Sequence, residues 1–299
     1  MILGVKPLDS TRPAAGMSAL PRSAEGAGAP WRVRLGELWR YRNAVYELTA
    51  RELKARYKNT VLGFFWSLLN PLGMMLVFTA VFTVFLPNNT IENYPLFVLC
   101  GLLPWNFLSA GVMSSIGSIT GNGNLVNKIW FPRETLPIST VLANLVNFLL
   151  SFAVLFVALL VFRAQFSPWI WLLPAVILLH TAFVLGLALI LSTLNVFYRD
   201  TMMVMDVVML AWFFLTPVVY PIQALPESYT VMGVTLDVQR LVYILNPMAS
   251  IISTYRDLLY WGYRTDFDFF VRTAVSAFAV LGFGYWFFTR YSHRFGEEV

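Results

Sequence analysis

Four cations stand close together in "RELKARYKNTVLGFFWSLLNP" (51–71): Arg51, Lys54, Arg56 and Lys58, set directly against an apolar run that carries no charge. Clustered Lys and Arg at such a boundary bind anions, and the anion that meets a membrane edge is a lipid headgroup, including a diphosphate. The same residues also serve as a topology anchor, because the cytoplasmic flanks of spanning helices carry the excess of Lys and Arg. The residues alone leave both readings open.

A second group lies in "TGNGNLVNKIWFPRETLP" (120–137). Its Gly-Asn punctuation breaks a helix, after which "LVNKIWF" can form one short helix ended by Pro132. Asn127, Lys128, Trp130, Phe131, Arg133 and Glu134 then combine aromatic anchors with a polar rim, the arrangement of a protein docking site. An aromatic belt at headgroup level is the alternative.

A third group is aromatic. Phe78, Phe82 and Phe85 fall at i, i+4 and i+7, with Met75 and Pro71 continuing the stripe, and Phe213 and Tyr220 share a face further on. Such stripes pack helices or face lipid, but a flat apolar ring also suits the C–H face of a sugar sliding along a path. Catalytic groups are wanting: the sequence holds no G-x-x-x-x-G-K-[ST] phosphate loop, no G-x-S-x-G and no H-E-x-x-H. Cys100 is the single cysteine, which excludes an internal disulfide and a cysteine metal cluster; we expect no metal site and no catalytic residue.

The elements that must position these groups are membrane helices. Of 299 residues 58% are hydrophobic and 12% charged, against about 25% charged in an ordinary soluble domain, and the mean hydropathy is +0.66. Six windows long enough to span are read at roughly 61–86, 94–119, 136–162, 169–197, 204–221 and 269–288. The fifth carries Asp206 near its start and Pro217 and Pro221 in its last turn. A further stretch, "LNPMASIISTYRDLLYWG" (245–262), is interrupted by Arg256 and Asp257 and reads as a re-entrant or interfacial element.

Ahead of the first span, Trp39, Tyr46 and Leu53 recur every seven residues, joined by Ala50 and Tyr57, with Arg40, Glu47, Arg51, Lys54 and Lys58 opposite. This is the pattern of an amphipathic helix in the membrane interface. The organisation expected is a disordered tail over 1–30, an interfacial helix over 31–58 and a six-helix transmembrane domain over 59–299.

With the N-terminus inside, 16 of the 21 Lys and Arg fall on the cytoplasmic side, which places both termini there. The net charge of +5 then faces an anionic leaflet and requires no nucleic acid. No Lys, Arg, Asp or Glu lies within the first four spans, and His180 is their one titratable group at depth, a packed and hydrogen-bonded residue rather than a relay. Ion coupling is therefore disfavoured, and energy is expected from another subunit.

Five stretches, "RELKARYKNTVLGFFWSLLNPL" (51–72), "GLLPWNFLSAG" (101–111), "NLVNKIWFPRETLP" (124–137), "STLNVFYRD" (192–200) and "LNPM" (245–248), make the chain resemble the membrane subunits of type-2 ABC exporters for polysaccharides, the O-antigen, capsule and teichoic-acid permeases. The likeness runs over about residues 35–295. It implies a multi-pass protein of the bacterial cytoplasmic (inner) membrane, working as a homodimer with two copies of a separate ATP-binding subunit. ATP and Mg would be bound by that subunit, with no cofactor in this chain. The implied substrate is a glycan on an undecaprenyl diphosphate type lipid. The resemblance further places the lipid entry at the helix over 34–58, the coupling helix at 127–134, the channel wall on spans one and five, and short re-entrant helices around 246–261. A type-2 ABC permease for a drug or lipid, and an ATP-independent channel or assembly protein, are the competing expectations.

Overall fold

The computed structural model describes residues 36, 39–58, 60, 62–85, 91–128, 131–162, 168–226, 228–231 and 234–299. The tail expected over 1–30 and Trp130 lie outside these residues, as does most of 31–38.

Among the described residues the regular structure is helical apart from one short hairpin. Helix α1 is Arg42–Tyr57 and α2 is Trp66–Ala80, which runs on as a π turn, Val81–Phe85. Helix α3 is Tyr94–Ile116, α4 Gly123–Lys128, α5 Thr135–Val161, α6 Leu173–Phe197 and α7 Thr201–Leu215. Strands β1 (Ser228–Val231) and β2 (Val234–Asp237) pair antiparallel. There follow α8 (Val238–Leu245), α9 (Pro247–Arg256) with a π turn at Asp257–Trp261, α10 (Phe267–Tyr291) and α11 (Phe295–Glu298).

Among the described residues five segments are long and apolar enough to cross a membrane: Trp66–Val84, Tyr94–Ile116, Thr135–Val161, Ile170–Phe197 and Phe267–Glu298. They correspond to the first, second, third, fourth and sixth expected spans. The fifth differs. Helix α7 stops at Leu215, giving 15 residues and about 22 Å of rise against the roughly 30 Å of a hydrocarbon core. The cause is local, since the residue before a proline is driven out of the helical region. Thr216, before Pro217, takes φ −102° and ψ 132°, and the chain runs on without helix to Pro221. Tyr220 therefore lies beyond α7 and shares no helical face with Phe213. The short β1–β2 hairpin is an addition to a fold that is otherwise all-helical, as expected.

Helix α3 forms the axis of the core. Leu96, Val98, Leu99, Leu102, Leu108, Val112 and Ile116 are all sealed by α2, α5, α6, α7 and α9. Helices α6 and α10 cross at a glycine pair: a Cβ on Gly186 would fall 2.7 Å from the backbone nitrogen of Leu281, and one on Gly284 would collide with the Gly186 backbone. Small residues allow this approach, which compensates for the weak hydrophobic drive between helices in lipid. His180 is fully enclosed by the rings of Phe107, Phe148 and Tyr255, at centroid distances of 4.9, 5.8 and 5.9 Å. Neither of its ring nitrogens has a hydrogen-bond partner among the described residues, so it is packed as expected but not hydrogen-bonded.

Candidate functional site: a polar platform and a broken helix

Two structured regions stand at opposite ends of the bundle. At one end α1, the loop between α3 and α5, and the C-terminus form a platform. Arg51 Nη2 donates to Asn122 Oδ1 at 2.7 Å, tying α1 to the loop, and Asn195 Nδ2 at the end of α6 donates to Thr120 Oγ1 at 3.2 Å. Arg133 donates through Nη1 to the Ser292 carbonyl beyond α10. Burial lowers the Arg133 pKa from its ordinary value, opposed by the neighbouring Glu134, and the carbonyl contact offsets part of that desolvation.

Beneath these polar ties lies a second core of Ile119, Val126, Leu136, Leu189, Val196, Phe288 and Phe295, with Phe131, Leu48 and Val299 packed against it. Gly123 is held against the chain terminus, where an added Cβ would sit 2.8 Å from Val299 Cγ1.

Of the residues expected at a docking site, Asn127 and Lys128 lie on α4, Phe131 packs against this second core, and Glu134 is buried at the start of α5. The short helix begins at Gly123, earlier than the expected "LVNKIWF", and is described as far as Lys128; residues 129 and 130 lie outside the described residues. Phe131 and Arg133 thus tie the far end of the loop to the platform. The contribution of the C-terminus was missed from sequence; apolar Phe295 and Val299 within the otherwise polar "SHRFGEEV" carry the signal.

The basic collar divides. Arg51 and Arg56 are engaged, the latter donating through Nη1 to Asn144 Oδ1 at 2.9 Å, while Lys54 and Lys58 are exposed. The proposed apolar stripe of α1 divides too: Ala50, Leu53 and Tyr57 are partly covered by the chain, but Trp39 and Tyr46 are 73% and 71% exposed.

At the other end the broken helix is clasped by α9. Arg256 is 5% exposed and donates through Nη1 to the Pro217 carbonyl at 2.6 Å and through Nη2 to the Val218 carbonyl. Its guanidinium lies 3.7 Å over the Phe97 ring. Tyr94 donates its hydroxyl to the Val219 carbonyl at 2.7 Å, so three successive carbonyls freed by Pro217 find donors. Gly101 makes the approach possible, since a Cβ there would lie 2.5 Å from the Val218 oxygen and 2.7 Å from Arg256 Nη2.

Asn246 of the "LNPM" stretch completes the clasp. It accepts from Trp212 Nε1 at 2.9 Å and from the Ala249 amide at 3.3 Å, and donates to Thr216 Oγ1 at 2.8 Å. Arg256, read from sequence only as an interruption, is thus a clamp.

The aromatic residues expected along a channel come together in part. Phe78 meets Phe213 at a centroid distance of 6.0 Å, Trp105 meets Phe213 at 5.5 Å, and Phe82 meets Tyr94 at 5.6 Å. Tyr220 donates its hydroxyl to the Phe214 carbonyl at 2.8 Å, and Phe85 ends the π turn after α2. Among the described residues no group of His, Cys, Asp and Glu could hold a metal ion.

Apolar helices long enough to span, an interfacial-type helix tied to a polar loop, and a helix broken at prolines define a multi-pass membrane protein. A family model described as "ABC-2 type transporter" matches residues 43–260, and the chain belongs to that family. It is 37% identical to the "O-antigen export system permease protein RfbA" of Myxococcus xanthus over 225 residues, 75% of this chain and 83% of that protein. A Klebsiella pneumoniae protein of the same description is 29% identical over 251 residues, 84% of this chain and 92% of its own. The "Polysialic acid transport protein KpsM" of Escherichia coli is 22% identical over 229 residues, 74% and 83% of the two chains.

Proposed function

We propose that this chain is the membrane permease subunit of an ATP-driven polysaccharide exporter. It works as a homodimer with two copies of a separate ATP-binding subunit, moving a glycan on an undecaprenyl diphosphate type lipid across the bacterial inner membrane. The observation that carries this reading is the 37% identity to an O-antigen export permease along most of both chains. In this reading hydrolysis belongs to the partner, in keeping with a sequence that holds no phosphate loop.

A homodimer accords with the bareness of α2 and α7. Pro71 is the single buried residue of α2 and Thr201 and Met209 are those of α7, while Leu76, Val77, Val207, Leu210 and Phe214 are exposed. In this reading the ATP-binding subunit closes on α4, with both termini on its side of the membrane. Because Arg133, Phe131 and Phe295 join the loop to the ends of α5, α6 and α10, the push is delivered to the bundle rather than absorbed by the loop. Parting of α2 from α7 at the Phe78–Phe213 contact then exposes rings along which uncharged sugar passes.

Deleting the chain in its own host tests the proposal. Surface polysaccharide is expected to vanish while lipid-linked glycan accumulates inside, and re-expression restores export. Unchanged surface glycan, with altered sensitivity to a drug or altered lipid distribution, would overturn the polysaccharide reading in favour of a drug or lipid permease.

A further inference from the structure

A cleft of about 320 Å³ lies between α2, α3 and α5, beside the turn that joins α1 to α2. It falls at the low end of the range, about 300–1,000 Å³, of pockets that take small molecules. Its lining is unusual for a cleft that opens on the flank of an apolar bundle. Asn70 of α2, Asn106 of α3, and Asn144 and Asn147 of α5 converge on it, with Arg56 at one edge and no acidic side chain. Polar groups among membrane-spanning helices are costly unless paired, and they mark substrate paths.

Pairing here is incomplete. Asn144 is fully engaged, accepting from Arg56 and donating to Ser114 Oγ at 2.8 Å and to the Thr140 carbonyl at 2.9 Å. Asn147 accepts from the Tyr57 hydroxyl at 2.6 Å, but its Nδ2 is buried and has no partner. Asn70 and Asn106 make no side-chain hydrogen bond among the described residues. The cleft thus presents carboxamide donors and acceptors beside the rings of Trp66, Phe107 and Phe148.

Carboxamides that both donate and accept, next to ring faces, match the hydroxyls and C–H face of a sugar. Arg56 adds a guanidinium suited to phosphate. We infer that this cleft holds the first sugar and the adjoining phosphate of a membrane-anchored lipid, an inference that rests on the exporter reading and deepens it. Its volume admits one head unit and not a chain, so it is a loading site, separate from the rings between α2 and α7. The exposed Lys54 and Lys58 do not line it.

The test uses the full chain purified with its co-purifying ATP-binding subunit, and binding of three probes: an isoprenyl diphosphate-linked monosaccharide, the bare isoprenyl diphosphate, and phosphatidylglycerol vesicles. The linked monosaccharide is expected to bind at least about tenfold more tightly than the other two, the equivalent of one or two hydrogen bonds. Asn70→Leu with Asn106→Leu, which breaks no hydrogen bond of the fold, removes that preference and leaves bare diphosphate binding unchanged. Arg56→Gln weakens both diphosphate probes.

Preference for phosphatidylglycerol would overturn the inference in favour of a resident phospholipid. So would an unaltered sugar preference in a double variant that melts like the parent. Export measured in cells separates the two levels: parental export that persists at full rate in the double variant removes the loading site alone, whereas a parent that exports no glycan removes the exporter reading as well.

Discussion

Replacing Arg256 by Met probes how a transport protein holds a helix broken at membrane depth. The substitution keeps an unbranched apolar stem and removes both donors, leaving the Pro217 and Val218 carbonyls without partners in a site where Val218 and Thr216 have no exposure. An orphaned buried acceptor costs about 1–3 kcal/mol, so two cost roughly 2–6 kcal/mol. Loss of the guanidinium from the Phe97 face adds up to about 2 kcal/mol, and release from burying a charge returns part of the sum.

A net loss of about 2–4 kcal/mol is expected, and on the scale of soluble proteins of this size it lowers the melting temperature by about 5 °C or more. Thermal unfolding in mild detergent, followed by tryptophan emission, reads it directly because Trp105 and Trp212 sit beside the clasp. Arg256→Lys keeps the charge but not the fork, and is expected to fall between Met and the parent. A Met variant that melts with the parent would refute the clamp and return Arg256 to the role of a mere interruption.

Further outcomes follow from the same packing. Gly186→Leu places a side chain against the α10 backbone at Val280 and Leu281, and is expected to cut the yield of folded protein in detergent severalfold, with Gly282→Ala, which meets nothing, as the neutral control. Asn246→Ala removes three hydrogen bonds around Thr216 and Trp212 and is expected to cost about 2–3 kcal/mol in the same melting experiment. Phe295→Ala opens the second core beneath the loop; it is expected to lower ATP-driven export more than binding of the ATP-binding subunit, measured by pull-down against a transport assay.

Much of this architecture is legible in the sequence because it depends on local properties. Long uncharged runs show where α2, α3, α5, α6 and α10 lie, and the polar interruptions at 256 and 257 show that 245–262 is not an ordinary span. Pro217 even marks where the fifth span fails, but the apolar window runs on to Pro221, because hydropathy does not register the restriction that a proline puts on the residue before it. What pattern cannot give is long-range pairing. Arg256 reaches carbonyls 38 and 39 residues away, Arg133 reaches Ser292 across 159, and the asparagines of the cleft come from three helices. Each looks on its own helix like an isolated polar residue. Trp39 and Tyr46 stay exposed while Leu53 and Tyr57 are partly covered by the chain, a division that a seven-residue repeat cannot show.

The central claim is tested most directly by reconstitution. The chain is purified from its native membranes, its co-purifying proteins are identified and quantified, and the assembly is placed in vesicles with lipid-linked glycan and ATP. The account predicts an ATP-binding subunit in equal amount and ATP-dependent movement of glycan across the bilayer. A folded oligomer of this chain that carries no ATP-binding subunit, or an assembly that hydrolyses ATP while the glycan stays on its original side, would contradict it.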